Sequence, residues 1–222
     1  MTEDVKSRLR EAQIELLREK TKSAKAGREM AELRTFQAQR EEKFHLLGDD
    51  YWHEHYFVGP VDGPNVDKAT THLSAWHRLD PTCDMNILIH SGGGSALAGI
   101  NLFDQLTAYS TRGGGNHNLT VTVRGLAASM ASVLVQAADW RVIGPRSRFM
   151  IHELSASTGG KIGEMEDAMD FYRQLNSDIG DLYVARSEGK IDREQFDKLW
   201  TRKDTWLTAQ QALDYGFVDE IG

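Results

Sequence analysis

The chain has 222 residues, 40% of them hydrophobic and 27% charged, enough for one sizeable domain plus an appendage. Its net charge of -7 gives no general attraction for nucleic acid or an anionic membrane, and no stretch of about 18 apolar residues offers a spanning helix. Cys83 is the single cysteine, which excludes an internal disulfide and a four-cysteine zinc site. The charged first 30 residues hold no apolar run of the signal-peptide kind, so a reducing, cytoplasmic compartment is expected.

Residues 1–47 alternate Lys/Arg with Glu and contain no proline. Val5, Leu9, Ala12 and Leu16 recur at helical spacing, and Met30, Leu33 and Gln37 continue it after Gly27. The expectation is one or two charged amphipathic helices, an extension set apart from a domain over 48–222. It reads either as a solvated arm or as a helix for a partner or a second copy, because its apolar stripe is narrow.

From Tyr51 the pattern turns α/β. Tyr56-Phe57-Val58 reads as a short strand, and Asn65 as the cap of a helix running to about Arg78. Met85 to Ile89 reads as a buried parallel strand, followed by a glycine turn and a helix from about Ala96 to Tyr109. Thr111 to Asn118 reads as a flexible loop, Leu119 to Val123 as a strand ended by Gly125, and Ala127 to Ala138 as a helix. Arg148 to Ile151 is a strand ending at His152, Lys161 to Ser187 a long helix, Asp192 to about Leu199 a shorter one, and Thr208 starts the last. Repeated strand, turn and helix imply an α/β fold with a largely parallel sheet.

Three places carry chemistry. Ser91-Gly92-Gly93-Gly94-Ser95 lies between a strand and a helix, where successive glycines turn backbone N–H groups outward. A phosphate cradle, half of an oxyanion hole and a plain tight turn all fit, but the Lys-Ser/Thr ending of a Walker loop is missing. Ser129, in Gly125-Leu126-Ala127-Ala128-Ser129-Met130-Ala131, stands near a helix start, where backbone N–H groups are free. A lipase-type elbow would need glycines at the places of Ala127 and Ala131. His152 ends an apolar strand, and strand ends form the site in open α/β sheets. His53 and His55 share a strand face and would permit a metal, but a polar strand start is the better reading. The five tryptophans scatter and form no stacking platform.

From about Tyr51 to Ile221 the chain resembles the proteolytic subunit family of the Clp protease (ClpP). The family's Ala-Ala-Ser-Met stands intact at Ala127 to Met130, and its Ser-Arg-x-Met-Ile-His at Ser147 to His152. Its acidic residue precedes an aromatic-Leu-Ser/Thr-Ala stretch, here Asp204 before Trp206-Leu207-Thr208-Ala209. Ala212-Leu213-Asp214-Tyr215-Gly216-Phe217-Val218-Asp219 follows the family's ending. The resemblance implies a ClpP/crotonase-like α/β fold of strand-turn-helix units with a handle helix at Lys161 to Ser187, preceded by the helical N-terminal arm. It implies a serine endopeptidase with Ser129 as nucleophile, His152 as base and Asp204 as the acid that orients it. The oxyanion hole would be the backbone N–H groups of Gly94 and Met130, with no cofactor and no metal.

The same resemblance implies a homo-oligomer of stacked seven-membered rings around a chamber, a AAA+ ATPase unfoldase as partner, and unfolded chains or short peptides as substrate. Nucleic acid and membrane are not expected. This chain departs from the family at Gly92 and Leu154, both prolines in relatives, and at Lys203, commonly arginine. Gly159, Gly160 and Gly163 suit a strand lining the substrate groove. Two readings compete. One is a weakly active or inactive scaffold subunit acting through its N-terminal helices. The other is an acyl-CoA hydratase or isomerase of the same fold, which would not need the three residues together.

Overall fold

The computed structural model describes residues 3–47 and 53–222, with side chains for 13–39 and 53–222. The boundary expected at 47/48 and the side chains of Val5, Leu9 and Ala12 lie outside the described residues. The chain divides into two units, 1–48 and 49–222.

The first unit is one helix, α1 (Glu3–Leu47), uninterrupted at Gly27. Its side chains over 13–39 are all exposed, with Leu16, Met30 and Leu33 more than half so.

The second unit is built on a seven-stranded sheet in the order β1-β2-β3-β4-β7, with β5 joined to β3 and β6 to β5. The strands are β1 (Glu54–Val58), β2 (Met85–Ser91), β3 (Leu119–Ala128), β4 (Trp140–Ile143), β5 (Arg148–His152), β6 (Asp204–Thr208) and β7 (Glu220–Ile221). The helices are α2 (Gly63–Leu79), α3 (Ala96–Tyr109), α4 (Met130–Val135), α5 (Ile162–Arg186), α6 (Arg193–Trp200) and α7 (Ala209–Asp214). Every pairing is parallel except β5 with β6. The mixed α/β class, the parallel sheet and the N-terminal helix agree with the sequence expectation.

Local chemistry explains most boundaries. Asp62, not Asn65, caps α2: its side chain accepts the Asn65 N–H at 3.0 Å, and Pro64 fits the first turn, where a missing N–H costs nothing. In β2, Met85, Ile87, Ile89 and Ser91 are buried while His90 is exposed, so one face of this strand is sunk rather than both. The segment 111–118 is tied down, not flexible. Asp139 accepts from Ser110, Thr111, the Arg112 N–H and the Leu119 N–H. Burial opposes ionisation of Asp139, but these bonds outweigh it and hold its carboxyl below the usual range.

The largest difference concerns β3. Gly125 does not end it: the pairing of β2 shifts register between Ile89 and Ser91, and β3 continues to Ala128. Its last three residues, Leu126 to Ala128, pair with β5. The helix expected from Ala127 therefore begins only at Met130. The continuation brings Ser129 to the edge of β5.

One buried histidine makes stability depend on pH. His55 is 2% exposed and lies 3.3 Å from His72, nitrogen to nitrogen. Burial, then His72 and Lys68, lower its pKa from 6.5 to about 4. The unfolded chain thus binds a proton that the folded chain refuses between these values, so stability falls as pH drops through that window. Between pH 7 and pH 5 the expected loss is about 2 kcal/mol. Thermal unfolding across this range checks it. A His55→Leu variant should show a flatter acid limb, and an unchanged slope would remove His55 as the cause.

Candidate active site

The glycine turn follows β2. Gly93 lies at φ +91 and Gly94 at φ +156, backbone conformations that favour glycine. A Cβ on Gly93 would sit 2.6 Å from Ser129 Cβ and 2.6 Å from the Ala128 carbonyl oxygen. The turn therefore packs directly on the serine. A Cβ on Gly94 would collide with the backbone of Val61. Val61 holds the turn from outside, donating its N–H to Gly93 O at 2.9 Å and accepting the Ser95 N–H at 2.7 Å. Among the described residues the Gly94 N–H meets no protein acceptor.

Ser129 sits at the junction of β3 and α4, at φ 55 and ψ -129. A non-glycine residue there costs about 1–3 kcal/mol and persists only where its surroundings enforce it. Here they do. The Ser129 N–H donates to Met150 O at 3.0 Å, and its carbonyl accepts from the Ser132 N–H at 2.9 Å and the Ser132 hydroxyl at 2.6 Å. Ser132 is itself braced, 2.7 Å from the hydroxyl of Tyr183 and 2.8 Å from Met150 O. Burial pushes the Tyr183 phenol well above its ordinary pKa, so it acts as a neutral donor. Tyr183 belongs to an aromatic cluster with Phe196, Trp200 and Phe217 beneath the site. Ser132 and Tyr183 carry no sequence motif that points to this role. The one local signal was the three-residue spacing of Ser132 from Ser129, and Tyr183 arrives from α5 with none.

His152 ends β5, and its Nε2 lies 2.7 Å from Ser129 Oγ. Its Nδ1 lies 3.2 Å from Asp204 Oδ1. The carboxylate can only accept, so Nδ1 carries the proton and Nε2 is free to accept the serine hydroxyl. His152 and Asp204 are the terminal pair of the β5–β6 ladder. No apolar alternation in the sequence marks β6, which begins at Asp204. Ser129, His152 and Asp204 are thus brought together in a continuous chain of contacts, a hydrogen bond from Ser129 to His152 and an ion-pair contact from His152 to Asp204. Such a chain can activate a hydroxyl nucleophile.

Met130 opens α4, and among the described residues its N–H meets no protein acceptor. Ser129 and His152 open on a cleft of about 330 Å³ that Met130, Val133, Leu154, Tyr172, Leu175 and Ile179 help to line. Gly94 and Glu153 line it as well. The strand expected around Gly159 and Gly160 is not formed: 153–161 carries no regular structure, and Gly163 lies within α5. Leu154 donates its N–H to Asn176 Oδ1 at 2.8 Å. Lys203 bonds the Lys198 carbonyl of its own chain.

His53 and His55 do not converge: His53 meets the ring of Trp76, and His55 that of His72. Among the described residues no group of three or more His, Cys, Asp or Glu is placed to hold a metal ion. No described helix is long and apolar enough to cross a membrane.

A family model described as Clp protease matches residues 54–222. A proteolytic subunit of the ATP-dependent Clp protease from Bacteroides fragilis is 36% identical over 172 residues, covering 74% of this chain and 77% of the relative. The chain belongs to the Clp protease family. The like-named subunit of Bacteroides thetaiotaomicron is 34% identical, covering 74% of this chain and 72% of the relative. Proteolytic subunit 2 of Nocardia farcinica is 28% identical, covering 74% and 78%. Membership makes the chain a peptidase by class, a Clp protease proteolytic subunit. The family match leaves α1 outside it.

Proposed function

We propose that the chain is a serine endopeptidase in which Ser129 attacks the scissile carbonyl, His152 takes its proton and returns it to the leaving amine, and Asp204 holds the imidazole. The observation that carries this reading is the continuous contact from Ser129 Oγ to His152 Nε2 at 2.7 Å, with Asp204 on the opposite nitrogen. The unengaged N–H groups of Gly94 and Met130 support their role as the oxyanion hole, since both belong to segments that touch Ser129. Donors fixed in advance need no reorganisation as charge develops.

Assembly into stacked seven-membered rings around a chamber is part of the same proposal. Ile162 and Met169, two turns apart on one face of α5, are 73% and 40% exposed in the single chain, apolar side chains that a second copy would cover. The ATP-dependent proteases named among the relatives support an AAA+ unfoldase as partner, with unfolded chains as substrate. The scaffold alternative finds less support, because the three side chains keep their contacts.

The apolar part of the cleft lining, Met130, Val133, Leu154, Leu175 and Ile179, suits a hydrophobic residue before the scissile bond. A short fluorogenic peptide with Leu there is expected to be cleaved at least about 100-fold faster than one with Asp, because an Asp carboxylate would lose water against these apolar side chains and face Glu153 in the same lining. Comparing kcat/KM for the two peptides tests this, with Ser129→Ala as control. Equal rates, or cleavage that survives Ser129→Ala, would contradict the proposal.

A further inference from the structure

The β5–β6 ladder ends at His152 and Asp204, so no strand pairing secures the segments beyond them. Just past that end the Glu153 carboxylate accepts the backbone N–H of Arg202 at 2.7 Å. Arg202 lies in a tight turn closed by the Lys203 N–H on Trp200 O at 3.3 Å. Its φ of 55 is the left-handed conformation that such a turn normally gives to glycine. A residue with a Cβ resists that conformation, and Glu153 opposes the resistance by engaging the central N–H of the turn. Glu153 projects from a fixed backbone, since the next residue, Leu154, is bonded to Asn176 of α5. Asp204, two residues after Arg202, has a side chain 70% exposed, so burial does not fix its place.

We propose that Glu153 is a positioning residue: it clamps the turn ahead of Asp204 and so sets the reach of that carboxylate to His152 Nδ1. The inference rests on the proposed triad. A carboxylate makes a strong acceptor for a backbone N–H, but reach decides the function. Gln keeps an oxygen at the same distance, whereas Asp is one methylene too short.

The test uses the full chain and a short peptide substrate, with kcat and KM measured for Glu153→Ala, Glu153→Gln and Glu153→Asp. Ala and Asp are expected to lower kcat about 10- to 100-fold with KM within about 2-fold, and Gln to stay within about 3-fold of the parent. Unchanged kcat in Ala, an effect on KM alone, or Gln as impaired as Ala would overturn the clamp. If Ala does not fold, the contrast between Gln and Asp decides, and equal rates for these two overturn it. Failure of the triad reading shows separately, as hydrolysis that persists in Ser129→Ala.

Discussion

Replacing Asp204 by Asn is expected to leave the fold unchanged and to lower kcat about 10,000-fold at neutral pH. The substitution keeps the shape but exchanges an obligate acceptor for a group that also donates. The amide can present its NH2 to His152 Nδ1, and the imidazole then carries its proton on Nε2, facing Ser129 Oγ. In that tautomer His152 cannot take the serine proton. The imidazolium formed during attack also loses its counter-charge. Asp204 has a side chain 70% exposed, so water softens the purely coulombic part, and orientation is the larger share of its role. Steady-state kinetics with matched thermal unfolding measure the effect. A loss under about 10-fold with the fold intact would mean that His152 is oriented by something else.

Gly93→Ala is the second large effect. The new methyl would meet Ser129 Cβ and the Ala128 carbonyl, each at 2.6 Å, at a φ of +91 that alanine resists. Strain and overpacking together cost about 2–4 kcal/mol. Relief requires the turn to move away from Ser129, and a displacement near 1 Å is enough to lower kcat about 100-fold. Gly92→Ala is the control, because a Cβ there meets nothing within 4 Å. It is expected to change stability by less than about 0.5 kcal/mol and to leave kcat within about 2-fold. Equal behaviour of the two variants would show that the turn is not pressed against the serine.

The sequence carried the parts of the site that local patterning controls. Ser129 and His152 each follow strand residues with clear apolar patterning, and the motifs around them are contiguous. The acid is marked by its flanking Trp206-Leu207-Thr208-Ala209, but nothing in that stretch marks the strand beginning at it. That strand, β6, is short, and three of its five residues are exposed, so it lacks the signal of a buried one. The start of α4 was misplaced because Ala127 and Ala128 have good helix propensity, and tertiary pairing with β5 overrode it. The 111–118 loop looked free because its anchor, Asp139, is distant in sequence. Glu153, Ser132 and Tyr183 were invisible for the same reason: their partners come from other elements.

Fluorophosphonate labelling of the purified full chain, with mass spectrometry to locate the adduct, tests the central proposal most directly. An activated serine should take the label at Ser129 alone, lose it in Ser129→Ala and lose it in His152→Ala. A folded protein that takes no label, or takes it at another residue, would contradict the triad and return weight to the scaffold reading and to α1.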